Sequence, residues 1–252
     1  MFAHERQQAI LAALERKPTL TIHELLSQIN ASPATVRRDL AFLERKGDLV
    51  RTHGGVVHSD HVAGEPTYDQ RLRESPAGKK SIAEAAAALI PQGATVYIDS
   101  GTTCLEVGRI LLAREDLALF TNSSPLVNIP VRRRARLVCL GGELREISRA
   151  MVGGLALDWL SKIRFDIALM GASGLSMEGV STTEMSEAEV KRQAMSRAKQ
   201  KILLADGSKW DIPSAFLFSG WNSFDSWITD STQAKRALLK SEKISTKVIL
   251  SR

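Results

Sequence analysis

"SPATVRRDLAFLERKG", residues 32–47, decides how the N-terminal part of this chain folds. Ser32 is a good helix N-cap, and Pro33 suits the first helical position, where its missing N–H costs nothing. At about 100° per residue, Val36, Leu40 and Leu43 fall in one narrow stripe that must face other helices. Arg38 and Arg45 point the opposite way, flanked there only by Ala34 and Ala41, while Arg37 and Thr35 sit on the two shoulders. A helix that enters the DNA major groove needs such a slim outer face, with guanidinium forks free to reach guanine edges or phosphates. Asp39 and Glu44 flank the arginines and are expected to pair with them. A lone pair of arginines is more simply a solvated helix face, so the surroundings must decide.

Two helices precede this one. The first spans roughly Glu5 to Glu15, with Ile10, Leu11 and Leu14 at helical spacing. The second opens on Thr21 with Glu24 three residues on, a capping box, and gathers Ile22, Leu25, Leu26 and Ile29 on one face. After the arginine helix comes "DLVRTHGGVVH", in which Leu49, Val50, Val56 and Val57 are strand-like and Gly54-Gly55 supplies a turn. A two-stranded ribbon is expected there, with Arg51 and His53 near its tip and able to rest on a phosphate backbone. These parts make a winged helix-turn-helix of about sixty residues. All five histidines (His4, His23, His53, His58 and His61) fall in or just past it, but with no cysteine among them and no zinc-like spacing, so no metal is expected.

Arg6, Ile10 and Leu14 at four-residue steps, followed by "SPATVRRDL" and then "RTHGGVV", resemble the N-terminal signature and wing of the DeoR family of bacterial transcriptional regulators. The resemblance implies DNA contacts from Ser32, Thr35, Arg37 and Arg38, and from Arg51 and His53 in the wing.

Composition sets outer bounds. The 252 residues are 44% hydrophobic and 25% charged, enough for one large domain and a small one. No apolar run approaches the roughly 20 residues that span a bilayer, and "MFAHERQQ" lacks the features of a secretory signal. Two cysteines, Cys104 and Cys139, are too few for a disulfide framework, which makes a reducing cytoplasm the expected setting. The net charge is +6, yet the first sixty residues carry only +1 of it. Any DNA-binding case therefore rests on where the charges sit, not on their sum.

Residues 58–79 show no sustained periodicity and carry Gly64, Pro66 and Pro76, which reads as a linker with a short helical piece near Tyr68 to Leu72. Beyond it, helices ("KKSIAEAAAALI", "TCLEVGRILLA", "LALDWLSKI", "SEAEVKRQAMSRAK", "QAKRALLKS") alternate with strands ("ATVYIDS", "LALFTNS", "RLVCLGG", "FDIALMGAS", "KILLAD", "FDSWITDS", "TKVILS"). That order predicts a mostly parallel sheet covered on both faces. In such sheets ligands bind beyond the carboxyl ends of the strands. "DSGTT" (Asp99 to Thr103), "TNS", Gly141-Gly142, "GASG" and "ADGSK" all fall at strand ends. Each alone is an ordinary turn. Together they suggest one crevice lined by hydroxyls and amides, with Lys209 as a cation, suited to a phosphorylated, hydroxyl-rich small molecule.

"DSGTT", "GGELR", "GASGL", "EAEVKR" and "LLADGSKW" resemble the sensor domain of the same family, itself similar to ribose-phosphate isomerases, glucosamine-phosphate deaminases and CoA-transferases. The resemblance implies that Ser100, Gly101, Thr102 and Thr103 hold a phosphate, with Asp99 a further effector-binding residue beside them. It implies that Asn122, Gly141, Gly171, Ser173, Glu187, Lys191, Asp206 and Lys209 line the rest. A sugar-phosphate isomerase is the rival reading. Met170, Ser173 and Gly174, however, occupy positions that carry carboxylates in those enzymes, and none of the three can move a proton between carbons at neutral pH. Glu187 and Lys191, four apart on a helix, could also be a plain surface ion pair. Cys104 reads as a packed core thiol, "VRRRAR" (131–136) as a solvated loop or oligomer contact, and Trp159, Trp210, Trp221 and Trp227 as packing.

The expectation is thus an α/β chain with three parts: a winged helix-turn-helix over 1–58, a linker over 59–78 and an α/β sensor domain over 79–252. It would act as a repressor of a carbohydrate-metabolism operon, without catalysis, cofactor, metal or membrane. Its partners would be double-stranded operator DNA, a phosphorylated sugar and further copies of itself, as a dimer or tetramer.

Overall fold

The computed structural model describes residues 2–17, 19–29, 31–52, 55–58, 65–130, 132, 134–232, 235, 238 and 244–251. The chain divides into two compact units, Met1–Pro66 and Thr67–Arg252.

The smaller unit runs α1 (Ala3–Arg16), β1 (Thr19–Thr21), α2 (Ile22–Gln28), α3 (Pro33–Arg45), β2 (Leu49–Thr52) and β3 (Gly55–His58). Its caps are those the sequence encodes. The Thr21 side chain accepts from the Glu24 amide at 3.1 Å while Glu24 Oε2 accepts from the Thr21 amide at 2.7 Å. Ser32 Oγ accepts from the Thr35 amide at 3.2 Å, with Pro33 opening the helix. Ile10, Leu14, Leu25, Ile29, Val36, Leu40 and Leu43 form one core with Leu20, Leu49 and Val56. The ribbon is antiparallel, pairing Val50 with Val57 and Arg51 with Val56. It carries a third strand that periodicity does not reveal, because β1 is only three residues long and its Leu20 lies opposite Val56. The Gly54 turn and His53 lie outside the described residues, as does the side chain of Arg51.

The larger unit begins with α4 (Tyr68–Arg73) and α5 (Pro76–Ala87), followed by β4 (Thr95–Ile98), α6 (Thr102–Leu111), β5 (Ala118–Thr121), α7 (Ser124–Val127) and β6 (Arg136–Cys139). A hairpin, β7 (Glu143–Arg145) and β8 (Ala150–Val152), leads to α8 (Gly154–Lys162) and β9 (Phe165–Gly171). Then come β10 (Gly174–Ser176), β11 (Gly179–Thr182), α9 (Met185–Ser196), β12 (Ala198–Leu204), β13 (Phe216–Ser219), β14 (Ser226–Thr229) and β15 (Lys247–Leu250). Seven strands pair in the order β15-β14-β12-β9-β4-β5-β6, all parallel. Alternate side chains feed two cores, as the two-residue period of a strand requires. Val96, Ile98, Ile167, Leu169, Ile202 and Leu204 pack against α5 and α6, whereas Tyr97, Ala168, Met170, Leu203 and Trp227 pack against α8 and α9. A three-stranded antiparallel sheet, β10-β11-β13, stands beside the main one.

Three expectations need correction or completion. Residues from Thr67 onward, expected within the linker, belong to the larger unit, because Tyr68 is buried in its core and its amide donates to Ile147 O at 2.8 Å. Trp210, Trp221 and Trp227, separate in sequence, form one aromatic cluster with ring centroids 5.2–6.0 Å apart. The helix expected from "QAKRALLKS" lies for the most part outside the described residues.

Candidate functional site

The exposed face of α3 is built from the side chains that its buried stripe leaves over. Val36, Leu40 and Leu43 are buried, so Arg37 and Arg38 project into solvent, and neither has an ion-pair partner among the described residues. Ser32 Oγ and Thr35 Oγ1 lie 2.8 Å apart at the start of the helix. Asp39 does not hold the arginine forks. It is buried, and its Oδ2 accepts from Nε of Arg6 on α1 at 2.8 Å while Oδ1 accepts from Gln7 Nε2 at 3.3 Å. The reason is geometric: Asp39 follows the fork but lies next to Leu40 and Leu43 on the side facing α1. It therefore clamps α1 to α3 and leaves Arg38 free. Arg45 Nε turns back to Ala41 O at 3.2 Å.

In the larger unit a cleft opens at the carboxyl ends of β4, β9 and β12. Ser100, Gly101, Thr102, Thr103, Gly171, Ser173, Glu187, Lys191, Asp206 and Lys209 all line it. Gly101 caps α6 at φ 132°, a conformation that suits glycine and strains any other residue. The turn thereby presents the first amides of α6, which have no partners within the helix, toward the cleft. Gly171 lets β9 pass close to this turn, since a Cβ there would sit 3.2 Å from Ser100 O.

Beneath the turn lies a buried charge system. Lys191 Nζ donates to Asp99 Oδ2 and, at 3.3 Å, to Gly171 O, while Asp99 Oδ2 also accepts from the Gly171 amide at 2.9 Å. Burial raises the Asp99 carboxyl above its ordinary range, and the Lys191 ammonium offsets only part of that. Burial opposes the charge of Lys191, but Asp99 and Glu187 outweigh it and hold its proton on more firmly than usual. Glu187 is likewise buried yet lowered, because Lys191, Ser148, Arg145 and Thr182 together overcome the desolvation. Its two oxygens accept from Arg145 and from Thr182 Oγ1, each at 3.0 Å. Glu187 and Lys191 are therefore buried members of the site rather than a surface pair. Asp206 Oδ1 accepts from the amide of Ser208 at 3.0 Å and from its hydroxyl.

Three expected effector-site residues do not line the cleft. Asn122 is buried behind the turn, its Oδ1 accepting from the Ser100 amide at 3.0 Å and from the Tyr97 hydroxyl at 2.9 Å, while Nδ2 donates to Met151 O. It shapes the Ser100–Gly101 turn without lining the cleft. Gly141, at the end of β6, is not among the lining residues either. Asp99 acts from below, through Lys191 and Gly171. Met170 is fully buried in the α8–α9 core.

The cleft also has two cations that sequence reasoning missed, Arg71 and Lys79. Arg71, on α4, has its Nε and Nη2 buried with no hydrogen-bond partner. Lys79, on α5, is buried and donates to the carbonyls of Arg71 and Glu74. Burial lowers its pKa, with Asp206 acting against that and Lys209 reinforcing it. A signal for Lys79 did exist: it shares the apolar stripe of Ile82, Ala83 and Ala86 at helical spacing, where a lysine is out of place unless held. Arg71 has none, lying in a stretch without periodicity. Cys104 is buried beside the turn, and its thiol is pushed up by that burial, which suits packing and not reactivity. No group of three or more His, Cys, Asp or Glu among the described residues could hold a metal ion, and no helix among them is long and apolar enough to cross a membrane.

Residues 6–62 match the DeoR-like helix-turn-helix domain, and residues 74–231 match the DeoR C-terminal sensor domain. The transcriptional regulator FruR of Bacillus subtilis (strain 168), whose name is qualified as uncharacterized, is 34% identical over 87% of this chain and 88% of its own length. The glycerol-3-phosphate regulon repressor of Escherichia coli (strain K12) is 30% identical over 82% of each. Among solved structures, ribose 5-phosphate isomerase A of Methanocaldococcus jannaschii overlaps 52% of this chain and 53% of its own, with 18% identity and a TM-score of 0.38.

Proposed function

This chain belongs to the DeoR family of transcriptional regulators, and from that premise we propose that it represses a carbohydrate-metabolism operon in the cytoplasm under the control of a phosphorylated sugar. Arg37 and Arg38 read and hold the major groove, with Ser32 and Thr35 at the helix start and Arg51 and His53 in the wing. One such module covers little DNA, so a dimer or tetramer sits on repeated half-sites.

The observation that carries the effector assignment is that donors and acceptors line one cleft. The donors are the start of α6, the Thr102 and Thr103 hydroxyls and the unpartnered nitrogens of Arg71, a setting for a phosphate. The acceptors are the carboxylates Glu187 and Asp206, which suit sugar hydroxyls. The name of the Escherichia coli relative, a repressor of a glycerol-3-phosphate regulon, supports a phosphate ester as the class. Both cleft carboxylates are already engaged, Glu187 by Arg145 and Thr182 and Asp206 by Ser208, which favours fixed binding over proton shuttling.

Thermal shift against a panel of sugar phosphates tests this reading. At least one member should raise the melting temperature while its unphosphorylated counterpart does not, and a Thr102→Val, Lys209→Ala double variant should lose the response. Silence across a broad panel would remove the phosphate reading. Isomerisation of any hit by the purified protein would favour the enzyme instead.

A further inference from the structure

Helix α4 is the first element of the larger unit and begins two residues after Pro66, where the smaller unit ends. It is tied down at both ends. At its start, Tyr68 is buried, the Tyr68 amide donates to Ile147 O at 2.8 Å, and Arg149 lies 5.1 Å from the Tyr68 ring and 2.5 Å from Asp69 Oδ2. At its end, the side-chain hydrogen bonds to it come from residues that line the cleft. Lys79 Nζ holds the carbonyls of Arg71 and Glu74, Thr102 Oγ1 reaches Arg71 O at 3.4 Å, and Lys209 Nζ holds Glu74 Oε2 at 3.0 Å. Between these ends the Arg71 guanidinium turns into the cleft with two buried nitrogens unmatched. A buried cationic donor without an acceptor is unfavourable, and an anion in the cleft relieves it.

We infer that Arg71 is the anion ligand that closes the effector site, and that α4 is the strap through which occupancy reaches the stretch joining the two units. This rests on the phosphate reading of the cleft given above. Arg71 Nε and Nη2 lack an acceptor within the protein, and two of the three ties, those from Lys79 and Lys209, come from cations crowded against Arg71, with Asp206 and Glu74 offsetting only part of that charge. An arriving phosphate satisfies Arg71 and neutralises the crowding, so the bound state holds α4 more firmly than the empty one. That difference between the two states is what regulation requires, since a ligand shifts an equilibrium only through its preference for one state. The strap thereby fixes or frees the chain at Thr67, the entry to the unit.

The test uses the full chain with inorganic phosphate as the probe, combining thermal shift with hydrogen exchange read by mass spectrometry. Phosphate should raise the wild-type melting temperature and slow exchange across residues 68–74 by about fivefold or more, the lower end of ordinary coupling. Arg71→Met should lose both effects, and Arg71→Lys, which keeps the charge but not the fork, should keep weakened versions of both. If Arg71→Met fails to fold, Arg71→Lys carries the comparison, and an undiminished response in it counts against the inference. Stabilisation without slowing over 68–74, or slowing that Arg71→Met retains, overturns the strap and leaves the phosphate site standing. No stabilisation of wild type at any phosphate concentration, together with silence toward the sugar-phosphate panel, overturns the site itself and the strap with it.

Discussion

The two units use charge in opposite ways. On α3 the arginines that matter are exposed, lie on a stripe of small residues and have no partner among the described residues. At and beneath the cleft, by contrast, a charge system is buried and paired: Asp99 with Lys191, Glu187 with Arg145 and Thr182. On the proposed function, the difference follows from the partner each would face. A DNA duplex brings its own dense charge and groove edges, so the protein needs only free forks at the right spacing. A small molecule brings few groups, so the protein must fix the position of its own before the ligand arrives. Substitutions in the first region should therefore change affinity and leave stability alone, whereas those in the second should change stability first.

The largest effect should come from Lys191→Met. Removing one partner of a buried pair strands the other, and the loss is expected at about 3–5 kcal/mol. Urea unfolding followed by tryptophan fluorescence measures it cleanly, because all four tryptophans lie in the larger unit. Adding Asp99→Asn to the same chain should recover much of the loss; a double variant as unstable as the single one would show that packing, not stranded charge, is at stake.

Asp39→Ala comes next. It removes the clamp between α1 and α3, and a charge-assisted hydrogen bond of this kind contributes about 1.5–3 kcal/mol. Hydrogen exchange in the α1 and α3 segments should accelerate accordingly, with the larger unit unaffected. Arg38→Ala sharpens the contrast: specific DNA affinity should fall by about 1–3 kcal/mol, while stability should stay within about 0.5 kcal/mol of wild type. Loss of stability of the size expected for Asp39 would mean that Arg38 is a structural residue after all.

The smallest effect concerns pH. Glu24 is exposed, yet its pKa is lowered to about 2, chiefly by Lys17 and then by the Thr21 amide of the capping box. A carboxyl depressed on folding contributes stability that is fully present above its ordinary pKa and lost as pH falls through the folded value. Between pH 4.5 and 2 wild type should therefore lose stability faster than Glu24→Gln. Parallel curves would show that the cap does not depend on the charge.

How much of this could be read from sequence depended on distance along the chain. Thr21 with Glu24, Ser32 with Thr35, and the βα alternation from Lys79 onward are local patterns, and local physics was enough to place them. The partner of Asp39 lies 33 residues away, so its sequence neighbours, the arginines, were the wrong guide. Asn122 ends a strand as a ligand residue would, but its amide groups are taken by Ser100, Tyr97 and Met151, which no spacing reveals. Arg71 lay in a segment without periodicity, and only burial against the cleft gives it a role. β1, three residues long, was too short to show a period.

Whether the cleft governs the arginine-bearing helix is decided by fluorescence anisotropy on DNA from upstream of the protein's own gene and its neighbours. Salt and protein concentration are held constant while each sugar phosphate that stabilises the protein is added. Under such control the affinity of the specific complex changes by about fivefold or more with one such ester and not with its unphosphorylated form. A complex whose affinity is the same with every stabilising ester present or absent would contradict it.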